Sequence, residues 1–148
     1  MIATDLTKRK IVGSNGRLAE LLASEVRDFV GALPDNSPAA EYREEFLQLT
    51  AKVESVNAAL VSRAKDAPDL VGAVATPVCH LFGLWALAYM WMRMVDAAGK
   101  TSQGDDFVGG KLKTARFFFS FCVPEADLLV TRFNAGCGIP MSLTEAEF

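Results

Sequence analysis

The chain has 148 residues, 51% of them hydrophobic and 22% charged. That is enough apolar chain to close one folded core, and it excludes a disordered segment. A net charge of −3 with both signs interspersed, and no basic stripe, argues against a nucleic-acid surface.

Residues 1–13 are expected to form an arm or the end of a helix. The segment carries Asp5, Lys8, Arg9 and Lys10 with no long apolar run behind them, so a signal peptide is not expected. Gly13-Ser14-Asn15-Gly16 closes it, and Ser14 or Asn15 can cap a first helix over residues 17–33. The apolar face of that helix is predicted as Leu18, Leu22, Val26, Phe29 and Leu33, widened by Leu21 and Val30.

Ser37-Pro38 opens a second helix, a cap residue followed by proline where its missing N–H costs nothing. The helix is predicted to reach about residue 65. Tyr42, Phe46, Leu49, Val53, Val56 and Leu60 step along it by four and three. This narrow seam is the pattern of a helix packed antiparallel in a bundle.

After Asp66-Ala67-Pro68-Asp69, a short helical piece is expected over 70–75 and a third helix over 76–98, with Thr76 as its cap. From Leu70 to Met92 there is no Asp, Glu, Lys or Arg, a run long enough to span a bilayer. Pro77, His80, Gly72, Gly83 and the short, charge-mixed flanks favour a buried core helix instead. Leu81, Leu84, Trp85, Ala88, Trp91, Met92 and Val95 share one side, while Phe82, Leu87, Tyr89 and Met90 cover the others. A helix apolar all round needs cover on nearly every face, so a further partner surface is expected.

The fourth helix is predicted over 105–135, with Leu112, Ala115, Phe119, Cys122, Ala126, Leu129 and Phe133 on its stripe. Pro124 should kink it by removing one hydrogen bond to Ser120. Gly136 and Gly138 stop it, and residues 137–148 form a tail. With no strand pattern, residues 1–148 are expected to fold as a single all-α domain. Its body, residues 14–136, is expected to be an antiparallel up-and-down four-helix bundle with short extra helical segments.

Chemistry-bearing residues are sparse. His80 is the only histidine, and with Cys79 alone beside it no metal site is expected; it should be hydrogen-bonded in or beside the core. Cys79, Cys122 and Cys137 form no Cys-x-x-Cys pair and suit free thiols in a reducing, cytoplasmic setting. Cys122 reads as packing, and Cys137 follows a helix end that does not activate a thiol. Neighbours such as Glu44-Glu45 and Asp105-Asp106 do not face each other on a helix. Val108-Gly109-Gly110-Lys111 is too short to cradle a phosphate. No catalytic, cofactor-binding or metal residue is assigned.

The aromatic excess is more informative. Phe117, Phe118, Phe119 and Phe121 are too continuous for one helix face, and Trp85 and Trp91 sit with Met90, Met92 and Met94 on the third helix. Aromatic and Met side chains are enriched at interface centres. Trp85, Trp91, Phe117, Phe118 and Phe121 are therefore the candidate interface of a homodimer formed through the third and fourth helices.

Several segments resemble one family in the right order. Residues 2–11, Ile-Ala-Thr-Asp-Leu-Thr-Lys-Arg-Lys-Ile, are similar to the Asp-Leu-x-x-Arg-Lys-Leu segment of long-form acyl-CoA dehydrogenases. Ala75-Thr76-Pro77 with Leu81-Phe82-Gly83-Leu84 resembles the Ala-Thr-Pro…Leu-Phe-Gly segment of their C-terminal extension. Residues 111–118, Lys-Leu-Lys-Thr-Ala-Arg-Phe-Phe, and then Pro124-Glu125-Ala126 are similar to its Lys-Leu-x-Thr-Ala-Arg-Phe…Pro-Glu-Ala helix. Glu145-Ala146-Glu147-Phe148 resembles the family's closing residues.

The resemblance implies a helical extension domain linked to fatty acid metabolism. In the dehydrogenases a glutamate removes the α-proton of an acyl-CoA while FAD takes the β-hydride. That glutamate lies before the Asp-Leu-x-x-Arg-Lys segment, so no catalytic residue carries over and FAD enters only through the parent family. The expected role is non-catalytic assembly or docking. One rival is a subunit or fragment that joins an acyl-CoA dehydrogenase catalytic chain and supplies part of its acyl-CoA site or oligomer interface. The other is a membrane-anchored helical protein.

Overall fold

Apolar residues recur every three or four positions along the chain, and the backbone answers with helices. In the computed structural model, which describes residues 2–102, 104–138, 142 and 144–147, no strand occurs among the described residues. In order the helices are α1 (Ile2–Thr4), α2 (Arg17–Ala32), α3 (Arg43–Arg63), α4 (Leu70–Ala73), α5 (Ala75–Ala98), α6 (Asp105–Phe117) and α7 (Glu125–Ala135). Wider π-type turns cover Asp5–Ile11 and Phe118–Cys122. The predicted tail is described only in part: Glu145–Glu147 is a single 3-10 turn, while residues 139–141, 143 and 148 lie outside the described residues.

α3 supplies one wall of the core. Phe46, Leu49, Val53, Val56 and Leu60 are buried, and so is Tyr42 at its threshold. The turn Pro38–Tyr42 leads into the helix, and Ser37 caps it: its Oγ accepts from the Ala39 N–H at 3.3 Å and donates to the Asp96 carboxylate at 2.9 Å.

α5 fills the middle, packing against α3, α6, α7 and the N-terminal segment. Its Val78, Leu81, Trp85, Ala88, Met92 and Val95 are buried together. α7 closes the far side with Ala126, Leu129 and Phe133. The N-terminal residues pack too: Thr7 and Ile11 are buried, and the Thr7 hydroxyl lies 3.3 Å from the Val71 carbonyl of α4.

Three local expectations are corrected. On α2, Leu18 and Leu21 are exposed, at 49% and 56%, and the buried face is Ala19, Ala23, Val26 and Val30. The helix is turned so that small side chains face the core and Leu18 and Leu21 face out, while Leu22 is half-buried against the core and Leu33 is buried. Gly16, at φ 80°, is the residue that precedes α2, and Ser14 caps the helix as expected from two residues further back, its Oγ accepting from the Leu18 N–H at 3.5 Å. The buried Asn57 amide donates to the Gly16 carbonyl at 3.2 Å, and a Cβ on Gly16 would come within 2.7 Å of Asn57 Nδ2.

Thr76 does not cap α5, which begins one residue earlier at Ala75 and has no side-chain cap. The predicted fourth helix is two helices. Pro124 has no N–H to give Ser120, and just before it the Val123 N–H reaches back to the Phe118 carbonyl at 3.2 Å, a wide turn that absorbs the interruption.

Candidate interaction surface

The five aromatic residues singled out from the sequence do not end up together. Trp85 is 1% exposed, and its indole Nε1–H donates to Thr50 Oγ1 at 3.0 Å, while that hydroxyl donates to the Phe46 carbonyl at 2.8 Å. A tryptophan whose N–H is satisfied inside the core takes no part in a surface, so Trp85 is removed from the candidate interface. Phe118 is buried as well: it meets Phe119 edge-on at 5.7 Å and the half-buried Trp91 at 6.2 Å. Phe119 in turn stacks on Tyr42 at 4.3 Å.

Phe117 and Phe121 are the two that face out. They are 56% and 73% exposed, with ring centroids 5.0 Å apart and planes 16° from parallel. The geometry follows from the wide turn between α6 and α7. Phe118 and Phe119 are drawn into the core, which leaves the flanking phenylalanines on the opposite side, one above the other.

Further apolar side chains are exposed on α7 and α5. Leu128 on α7, about two turns beyond Phe121, is exposed. Across the Trp91–Phe118 contact, α5 exposes Leu87 and Met90. Nearer the α5–α6 connection, Met94, Ala97 and Ala98 share a cleft of about 230 Å³ with Phe107 and Lys111. Trp91 meeting Phe118, and Met94 and Ala97 meeting Phe107 and Lys111, show α5 and α6 running antiparallel. Leu18 and Leu21 on α2 are a missed feature: their exposure was not foreseen because leucines three and four residues apart read as core.

The charges around this surface are of both signs. Arg116 pairs with Glu41 at 3.2 Å and Lys52 with Asp127 at 2.5 Å. Lys113 and Glu125 are exposed and take no ion pair among the described residues.

Elsewhere the charged groups are committed to structure. An open cleft of about 720 Å³ between the end of α2 and the start of α3 holds Arg27 and Arg43. Arg43 donates to Asp35 and to the Leu33 carbonyl, and Arg27 is paired with Glu54. Tyr89 donates to Glu25 at 2.9 Å, and burial first, then that hydrogen bond, pushes its phenol pKa up. Asp96 is desolvated, which favours its neutral form. Hydrogen bonds from Lys100 and Ser37, with the Lys100 charge, outweigh this and hold its pKa below the usual carboxylate range.

His80 is exposed on α5, not in or beside the core as expected, because it falls about 100° round the helix from the buried Leu81. The three cysteines are free and half-buried. Among the described residues no group of three or more His, Cys, Asp or Glu side chains is placed to share a metal ion. α5 is long and apolar enough to cross a bilayer, and 44% of its most apolar window is buried inside the fold.

No curated protein and no solved structure matches the chain. A family profile does, described as acetyl-CoA dehydrogenase C-terminal like, over residues 22–144. The matched span takes in most of α2 and everything through α7, including the segments at 75–84, 111–118 and 124–126 that carry the resemblance. With most of its length covered by that one profile, the chain belongs to the acetyl-CoA dehydrogenase C-terminal-like family.

Proposed function

We propose that this chain is a non-catalytic helical domain for assembly or docking, its main helices arranged as an antiparallel four-helix bundle and its working surface the outer side of α5, α6 and α7. The observation that carries the proposal is the stacked, exposed pair Phe117 and Phe121. Two phenylalanines held in water at an otherwise well-packed helix junction lower the free energy of any state that covers them, by about 25 cal/mol for each Å² of apolar area removed. The partner proposed is a second copy of the chain, in a cytoplasmic setting that suits its three free thiols.

The family favours a second reading. The same surface would seat the domain on an acyl-CoA dehydrogenase catalytic chain, near its acyl-CoA site or oligomer interface, and FAD would belong to that chain. Membrane anchoring through α5 is a weaker proposal, supported by the length and hydropathy of that helix alone.

Purification tests the first reading. The isolated chain is expected to be soluble without detergent and colourless, and to self-associate. A yellow protein whose flavin band bleaches with acyl-CoA would contradict it, and a flavoprotein that co-purifies would favour the second reading.

A further inference from the structure

The outer row of α6 and α7 is self-complementary. Starting from the Phe117–Phe121 stack, Lys113 lies one turn before Phe117 and Glu125 one turn after Phe121, both exposed. Beyond them, three positions further out at each end, come Gly110 and Leu128. Leu128 is 48% exposed, and Gly110 has nothing within 4 Å of where a Cβ would stand. Reversing the row exchanges a cation for an anion and a large apolar side chain for a bare backbone, with the phenylalanine pair at its centre.

We propose that two copies of this chain pair along this row, antiparallel about a two-fold axis through the Phe117–Phe121 stack. Lys113 of each copy then faces Glu125 of the other, and each Leu128 covers the other's Gly110. This rests on the assembly reading above and gives that self-association its residues and its geometry. A two-fold contact must present the same patch twice, with each residue meeting its complement, and this row meets that requirement residue by residue. The four phenylalanine rings form the buried centre and the two charge pairs the rim. An anionic membrane is less well served, because Glu125 and Asp127 stand on the same stretch as Lys113.

Sedimentation equilibrium of the intact chain at low salt tests this, with Lys113→Glu and Glu125→Lys examined alone and as an equimolar mixture. Both positions are exposed, so the fold is retained, and circular dichroism checks it. Each single variant sets like charges opposite one another twice and should dimerise roughly tenfold more weakly than the original chain. The mixture should recover the original affinity as a mixed dimer, since both contacts are then attractive. Single variants that associate as tightly as the original chain, or a mixture no tighter than either variant, would overturn the proposal.

Phe121→Asp separates the two levels of the argument. If it abolishes a dimer that the charge reversals leave unchanged, the surface is right and the two-fold pairing wrong. If it leaves the dimer intact, both are wrong. A monomeric chain that pellets with phosphatidylglycerol vesicles would also overturn the pairing.

Discussion

Thr50 shows how one hydroxyl decides what a neighbouring aromatic can do. It accepts from the Trp85 indole and passes its own proton to the Phe46 carbonyl, so a large, half-polar side chain lies fully inside with nothing unsatisfied. Thr50→Val keeps the shape and strands the indole N–H, and should cost about 1–3 kcal/mol in a denaturant melt. Leu49→Ala, one residue away and buried, should cost about 2–5 kcal/mol through lost burial and the remaining cavity. Lys52→Ala loses only its partly exposed pair with Asp127 and should shift stability by about 1 kcal/mol or less. Equal midpoints for Leu49→Ala and Lys52→Ala would mean the buried face of α3 is misassigned.

Of these residues, Leu49 was legible in the sequence and Thr50 was not. The seam that runs through α3 takes five steps of four or three from Tyr42 to Leu60, and repetition identifies a buried face. A single threonine that caps a tryptophan from another helix leaves no local pattern, and Trp85 therefore read as a surface residue. Gly16 is a similar case. Its positive φ and its closeness to Asn57 depend on a residue far away in sequence. Gly16→Ala should destabilise by about 1–3 kcal/mol, by backbone strain and by displacing the amide.

Elements are set by pattern, and their rotations and breaks by contact. α3 and α5 lie close to where periodicity placed them, because several large side chains vote for one face. α2 turned Leu18 and Leu21 outward, because Ala19 and Ala23 allow a closer approach than leucine does, and backbone proximity carries no hydrophobicity signal. Pro124 marked an interruption in the last helical stretch, but proline alone does not specify whether the helix bends or widens. Here the preceding turn widened, and that choice put Phe118 inside and Phe117 and Phe121 outside.

The junction between the Pro38–Tyr42 turn and α5 is held by Ser37, Asp96 and Lys100. The Asp96 pKa is depressed in the folded chain, so its contribution is present above the unfolded carboxylate pKa and is lost as pH falls through the folded value. A carboxyl NMR titration should find Asp96 ionising below the ordinary aspartate range. In Ser37→Ala that value should rise and the acid unfolding midpoint should move to higher pH. An unchanged Asp96 titration in the variant would remove Ser37 from the account.

At the scale of the whole molecule, composition and periodicity were enough for an all-helical chain, and the ordered segments were enough for its family. They were not enough for the surface. An aromatic run says that more rings are present than one core face can hold. Which of them remain outside depends on the wide turn before Pro124 and on the Tyr42, Trp91 and Phe119 rings that receive the others. Phe118→Asp would therefore damage the fold and report nothing about assembly, whereas Phe121 is reached by solvent and its substitution is informative.

The central claim is that this outer aromatic face is covered by a second copy of the chain. Sedimentation equilibrium over a micromolar concentration series, comparing the original chain with Phe121→Asp, addresses it most directly. A concentration-dependent dimer that becomes a folded monomer in Phe121→Asp is the result this account predicts. A chain that remains monomeric at the highest concentration, or a dimer indifferent to the substitution, would contradict it.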